Sequence, residues 1–298
     1  IVVMDQYTGH VKAMVGGRGE KTESRSLNRA TQSYKQPGSC FKILSTYAPA
    51  LDSAGETLAT IIKDEPYEYA DGTPVSNWWG DYYRGDMTMR EAIEQSANIC
   101  AVKTLTEITP QLGFTYCQNF GLSTLVESRT TDEGQVFTDI HQSLALGGIT
   151  DGVYNYEMCA AYAAIANGGV YRAPCLLDCA LDETSGEDLS AFARPQAERV
   201  LTEQTAAALR TMLEQTVAEG TAQDASGLPG GAAGKTGTAQ TGQFTAEGKE
   251  RMNLWFAGFY PAEDPQYTIV VLQDGQTQAA VSSAAVFAQL CTALHWLG

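Results

Sequence analysis

The strongest constraint on this chain is that its strand-like runs sit at its two ends. Ile1–Met4 and His10–Val15 are short apolar runs joined by Asp5-Gln6-Tyr7-Thr8-Gly9, a hairpin pattern with Gly9 at the turn. Leu254–Tyr260 and Tyr267–Leu272 read as two further strands, the second continuously apolar, with Pro261–Pro265 as their turn. Helical periodicity fills much of the space between. Thr202 opens a helix with Ala206, Leu209, Met212 and Leu213 on its buried side. Residues 140–167 read as mostly helical and stop at Gly168-Gly169, and Ala279–Leu297 reads as a last amphipathic helix. Such a chain builds one sheet whose strands come from both termini, with helices packed on it.

The segment that follows the first strands carries the first candidate chemistry. Residues 18–36 are polar and read as a surface loop, and Pro37-Gly38 then breaks the chain. Phe41, Leu44 and Ala48 recur at helical spacing, which puts Ser39 at a helix N-terminus, where unpaired N–H groups and the helix dipole favour negative charge. Lys42 lies three residues on, on the same face, within reach of the Ser39 hydroxyl. A serine becomes a strong nucleophile when a neighbouring base takes its proton. The tetrad by itself is also what a simple helix cap looks like.

Two later stretches add weight. Thr88-Met89-Arg90-Glu91 is a capping box that starts a helix running to Gln95, and this helix delivers Ser96-Ala97-Asn98 at its end. Lys235-Thr236-Gly237-Thr238 follows the glycine-rich run Gly230-Gly231-Ala232-Ala233-Gly234. A phosphate-binding loop would need glycine where Pro229 stands, so that reading fails. Between the first two motifs, residues 52–87 form a loop-rich segment holding Tyr67, Tyr69, Trp78, Trp79, Tyr82 and Tyr83, which either line a cleft or pack over the core. Cys100–Ile108 and Gln111–Phe120 read as short helices, and residues 178–195 as a polar, acidic excursion.

Charge and cysteine usage exclude several classes. With 19 basic and 35 acidic residues the formal charge is −16, which argues against nucleic acid and against a basic patch on anionic lipid. The seven cysteines lack zinc-site spacing, and His10, His141 and His295 are far apart, so no metal or cofactor is expected. Most of the cysteines fall in apolar runs and read as small buried hydrophobes, while a Cys175–Cys179 disulfide stays open. Alone, this cysteine usage suggests a reducing compartment.

Ser-x-x-Lys, Ser-x-Asn and Lys-Thr-Gly, in that order, form the signature of penicillin-binding proteins and related β-lactamases. The chain resembles the transpeptidase domain of a penicillin-binding protein, of the class A bifunctional type, from Ile1 to about Gly275. The flanks that carry the likeness are Asn28-Arg29-Ala30-Thr31, Tyr83-Arg84-Gly85, Ala145-Leu146-Gly147-Gly148, residues 161–171 and Trp255-Phe256-Ala257-Gly258-Phe259. The resemblance implies an α/β (α+β) fold of the penicillin-binding and serine β-lactamase type. That fold has an antiparallel sheet of five strands, helices on both faces and an inserted helical lobe. The sheet lobe would take residues 1–38 and 200–298 and the helical lobe 39–199, all within one domain, 1–298. It also implies an extracytoplasmic enzyme whose membrane anchor and glycosyltransferase domain lie upstream of this chain, and on location the motifs outweigh the cysteines.

Roles carried over by this resemblance are specific. Ser39 would be the nucleophile toward a D-alanyl-D-alanine stem peptide, Lys42 its base, Ser96 a proton relay, and Lys235 a neighbouring charge that lowers the Lys42 pKa. Asn98 would hold the substrate backbone, and Thr236 and Thr238 its terminal carboxylate, while Gly237 would let the strand approach the substrate. The N–H groups of Ser39 and Thr238 would form the oxyanion hole. An amine of a second stem peptide would then take the acyl group, and β-lactams would be trapped at Ser39. Cys40, Ile43 and Asn155-Tyr156 depart from the family pattern without removing a catalytic group.

Three other functions share parts of this pattern. A serine β-lactamase needs a water-activating base, and no Glu-x-x-x-Asn follows the second motif, Glu157 being followed by Met-Cys-Ala-Ala. A D,D-carboxypeptidase shares the motifs and is opposed only by the long flanks. A non-catalytic β-lactam sensor domain would also acylate, but has less of the flanking pattern.

Overall fold

The computed structural model of the chain describes residues 1–177, 179–190 and 196–297. Five strands form one antiparallel sheet: β1 (Val2–Met4), β2 (Val11–Met14), β3 (Ala233–Phe244), β4 (Glu250–Tyr260) and β5 (Tyr267–Gln276). Their order across the sheet is β3-β4-β5-β1-β2, so β1 joins the C-terminal strands and β3 is an edge. The expected sharing of one sheet between the two termini is therefore present. Gly9 turns the first hairpin with φ at 79°.

The continuous apolar runs of β4 and β5 follow from burial on both faces. Trp255, Ala257, Phe259 and Val270 enter the main core, whereas the alternate residues Phe256, Tyr260, Ile269 and Val271 enter a second cluster. The second cluster is closed by α6 (Ser283–Leu297) through Ala284, Phe287 and Cys291. The main core is organised around α4 (Asn155–Ala166), which is buried on every side. Its run of alanines lets neighbouring elements approach closely. Against it packs α5 (Glu203–Ala218), capped by Thr202 as expected, with Ala206, Leu209, Met212 and Leu213 fully buried. Each buried Leu or Met there contributes about 1.5–3 kcal/mol.

Between the sheet segments lie α1 (Met89–Glu94), α2 (Asn98–Ile108) and α3 (Pro110–Asn119). The capping box at Thr88 and Glu91 is formed in both directions. Several expectations need correction. Residues 18–36 are not all loop, since Asn28 caps a helical turn, Arg29–Gln32. The stretch 140–167 is only partly helical: Gln142–Leu146 is a 3-10 turn and Val153–Tyr154 a short strand before α4 begins. Residues 52–87 contain Ile61–Asp64, paired with Gly85–Thr88. Of the excursion expected over 178–195, residues 178 and 191–195 lie outside the described residues, and Leu181 and Asp188 form an isolated bridge.

All seven cysteines are thiols, and a Cys175–Cys179 disulfide is not formed. Cys179 is exposed and the other six are buried. Among the described residues no helix is long and apolar enough to cross a membrane.

Candidate active site

Ser39 stands in a 3-10 turn, Gly38–Cys40, that leads through Lys42 into a π-helical stretch, Ile43–Tyr47, and an α-helical end, Ala48–Asp52. Pro49 has no N–H to donate back along that helix, and π-helical turns of this kind concentrate at functional sites. Phe41, Leu44 and Ala48 are fully buried, as their spacing requires. The segment is fixed from three directions. Trp255 Nε1 donates to Gln36 O at 2.9 Å, Gln36 Nε2 donates to Ile149 O at 2.8 Å, and the Tyr162 hydroxyl donates to Cys40 O at 2.8 Å.

Glycines set how closely β3 approaches Ser39. Gly38 has φ at 57°, and a β carbon on it would lie 2.9 Å from Thr238 N and collide with Thr238 O. A β carbon on Gly237 would collide with Pro37 O and lie 2.9 Å from Cys40 Sγ. Gly237 thus allows close packing of the strand on the serine turn. Along β3, Lys235, Thr236, Gly237 and Thr238 pair with Ala257, Phe256, Trp255 and Leu254, leaving the other edge of the strand open. Thr238 is exposed, and Thr236 Oγ1 donates to Thr221 Oγ1 at 3.3 Å.

The centre of the site is a meeting of two lysines. Lys42 and Lys235 are fully buried, and both reach the Ser96 hydroxyl: Lys42 Nζ donates at 3.2 Å and Lys235 Nζ at 2.9 Å. Lys42 Nζ also donates to Ser96 O at 2.7 Å and to Asn98 Oδ1 at 2.6 Å, and Lys235 Nζ to Thr236 O at 3.2 Å. Among the described residues neither lysine makes an ion pair. Two cations buried without a carboxylate are costly, and the cost appears as lowered pKa values. Burial, then the charge of Lys235, holds the Lys42 amine well below its ordinary range. Burial lowers Lys235 to about 8, opposed in part by Cys40. The Cys40 thiol, which donates to Lys235 O at 3.2 Å, is pushed up by its own burial to about 12.

Ser96 holds a left-handed backbone, φ 53°, unusual for a residue with a side chain. It sits in the link between α1 and α2, and Asn98 is the first residue of α2 rather than the end of α1 as expected. Both ends of the Asn98 amide are engaged, since Nδ2 donates to Ser76 O at 2.7 Å. Ser39 Oγ has no hydrogen-bond partner among the described residues, so the expected Ser39–Lys42 contact is not made in this state. All eight predicted residues nevertheless belong to one junction of the serine turn, the α1–α2 link and β3.

Sequence reading missed the support behind this junction. Asn77 Oδ1 accepts from the N–H groups of Asn98 at 2.8 Å and Ile99 at 3.2 Å, and Asn77 Nδ2 donates to Asp64 Oδ1 at 2.7 Å. No local pattern marks Asn77, because its partners are distant in sequence. The aromatics of residues 67–83 divide: Tyr67 and Tyr69 pack against the core, whereas Trp78, Tyr82 and Tyr83 are exposed. Trp78 Nε1 donates to Gln95 O at 2.8 Å, holding that ring beside Ser96, and the Arg84 guanidinium lies 4.2 Å over the Trp79 ring.

A serine turn whose own Lys42 meets Lys235 of the edge strand in a buried site fits a serine acyltransferase or peptidase. Comparison with known proteins gives the family. The chain belongs to the penicillin-binding protein transpeptidase domain family, whose profile matches residues 1–292. Penicillin-binding protein 1F of Bacillus subtilis (strain 168) is 34% identical over 260 residues, covering 87% of this chain and 33% of the relative. Penicillin-binding protein 1A of Streptococcus pneumoniae is 32% identical over 249 residues, covering 80% of this chain and 32% of the relative. The chain therefore spans about a third of the length of these curated relatives. Among solved structures, the D,D-transpeptidase domain of a peptidoglycan glycosyltransferase from Eggerthella lenta superposes with a TM-score of 0.78 at 26% identity, covering 100% of this chain and 78% of that one. Penicillin-binding protein 3 of Mycobacterium tuberculosis, solved with ampicillin, gives 0.80 at 25% identity, covering 99% and 71%.

Proposed function

We propose that this chain is a peptidoglycan D,D-transpeptidase domain that cross-links stem peptides through an acyl-serine at Ser39. The observation that carries this reading is the convergence of Lys42 and Lys235, both fully buried, on the Ser96 hydroxyl. A neutral Lys42 amine has two N–H bonds and one lone pair. The ammonium donates to Ser96 O, Asn98 Oδ1 and the Ser96 hydroxyl; once neutral, Lys42 keeps N–H bonds to the two carbonyl oxygens, and its lone pair accepts from the Ser96 hydroxyl in place of the third donated bond. As substrate enters, Nζ turns from Ser96 Oγ, its longest contact, toward Ser39.

Ser39 Oγ attacks the carbonyl carbon of the penultimate D-alanine while Lys42 Nζ takes its proton. The N–H groups of Ser39 and Thr238 stabilise the oxyanion, for which each donor is worth about 10²–10³ in turnover. The C–N bond breaks, and the proton passes from Lys42 through Ser96 to the departing D-alanine amine. Lys235, Thr236 and Thr238 hold the terminal carboxylate, and the open edge of β3 and Asn98 hold the peptide. The amine of a second stem peptide then attacks the ester carbon, loses a proton to Lys42 and restores Ser39. Water in that place gives carboxypeptidase turnover.

The reaction cleft lies between a sheet lobe of residues 1–38 with 200–298 and a helical lobe of residues 39–199. The D,D-transpeptidase relative supports the donor substrate, and the ampicillin-bound relative supports trapping by β-lactams. The working location is the outer face of the bacterial membrane, with a tether upstream of residue 1.

The test is intact mass after incubation with benzylpenicillin, wild type beside Ser39→Ala, followed over hours. A stable one-to-one adduct on the wild type alone is the expected result. An adduct that clears within seconds while penicilloate accumulates would instead identify a β-lactamase, and no adduct would refute the assignment of Ser39.

A further inference from the structure

α2 starts without a cap of its own. The residue before it, Ala97, has no side chain able to accept the N–H groups that the first turn leaves unpaired. Asn77, some twenty residues upstream, takes two of them, from Asn98 and Ile99. The same amide donates to Asp64 Oδ1, and Asp64 Oδ2 accepts the Arg84 N–H at 2.8 Å. Asp64 is 1% exposed and Asn77 7%, so neither can exchange these partners for water. The neighbouring carbonyl of Ser76 accepts from Asn98 Nδ2. Residues 76 and 77 therefore hold Asn98 by its main chain and by its side chain, and Asn98 Oδ1 receives Lys42 Nζ at 2.6 Å.

We infer that Asn77 is a positioning residue for acylation: oriented by the buried Asp64 carboxylate, it seats the start of α2 and so fixes the Asn98 oxygen on which Lys42 rests. This rests on the reading of Lys42 as the base. Removing one member of a buried hydrogen-bonded chain leaves the others unsatisfied, so the effect passes along it. The charged and titratable groups that face Lys42 are Lys235 from β3 and Cys100 from α2, with Ser96 and Asn98 as its neutral partners. Asp64 stands behind Asn77, to which it is hydrogen-bonded, and its charge acts on Cys100.

The arrangement permits an exchange. In Asp64→Asn with Asn77→Asp, residue 77 still accepts from α2 and residue 64 still accepts from the Arg84 N–H, while the bond between the two reverses, residue 64 now donating to residue 77. The carboxylate, however, moves one residue nearer Lys42. The experiment measures the benzylpenicillin acylation rate against pH and follows the titration of Lys42 by carbon-13 NMR in wild type, Asn77→Ala, Asn77→Asp and the double variant. Asn77→Ala is expected to acylate about 30-fold more slowly, and Asn77→Asp, with two facing carboxylates, more slowly still. The double variant should recover to within about tenfold of wild type. Its Lys42 titration and the acidic limb of its rate profile should both move to higher pH, because a nearer anion favours the ammonium. Asn77→Ala, which adds no charge, should also move the Lys42 titration, whereas a residue that only stabilised the fold would lower the melting temperature and leave that titration in place.

Asn77→Ala acylating within about twofold of wild type, with an unchanged Lys42 titration, would overturn the inference. So would a double variant with native melting temperature and an unmoved limb. Absence of acylation at Ser39 in the wild type would count against the functional reading instead, and the NMR titrations would still decide the role of Asn77.

Discussion

The two helices on either side of Ser96 begin by different means. α1 is capped by its own sequence: the Thr88 hydroxyl accepts the Glu91 N–H at 3.2 Å, and the Glu91 carboxylate accepts the Thr88 N–H at 2.7 Å. α2, which starts at Asn98, borrows its cap from Asn77. The first arrangement is local and secures a helix. The second ties the helix start to a loop and, through Asn98, to Lys42. A local cap serves stability, and a borrowed cap also ties the helix start to the Asn98 oxygen that receives Lys42.

Breaking a long-range contact should therefore cost chemistry, and the largest effect is expected at Gly237. Its substitution by alanine drives a β carbon into Pro37 O and against Cys40, prising β3 away from the serine turn. Overpacking of this kind costs about 1–3 kcal/mol. A displacement near 1 Å in the site should slow acylation about 100-fold. Denaturant midpoints and acylation rates check both, and acylation at the wild-type rate would show that this contact does not set the geometry.

Thr88→Ala sharpens the comparison from the other side. Loss of the local cap should lower stability by about 1 kcal/mol while acylation stays within about twofold of wild type. A drop in acylation like that expected for Asn77→Ala would erase the distinction between the two helix starts.

The same division explains what the sequence made legible. The terminal hairpins, the α5 helix with Ala206, Leu209, Met212 and Leu213, and the Thr88 capping box are short-range patterns, and each is present. The three site motifs are short-range patterns too, and the family resemblance they carry is how Ser39, Lys42, Ser96, Asn98 and the Lys235–Thr238 run could be named. Residues 140–167 are helical but not continuously so, because Gly147, Gly148 and Gly152 divide them into a 3-10 helix, a short strand and α4. Asn77 and Asp64 were invisible because an asparagine and an aspartate in a polar loop gain meaning only from the groups folded against them. The packing role of Gly237 was hidden for a related reason, since the atoms that exclude its side chain belong to Pro37 and Cys40.

The central claim is that burial and the neighbouring Lys235 charge keep Lys42 neutral enough to act as the base. The pH dependence of benzylpenicillin acylation tests it most directly. Lys42 must be unprotonated and Lys235 charged, so the rate should rise as Lys42 loses its proton well below its ordinary value of 10.5 and fall as Lys235 titrates near 8. A bell-shaped profile with its descending limb near pH 8 is the expected result. A rate that climbs without a break toward pH 10.5 would mean an ordinary lysine at position 42, and would contradict the account.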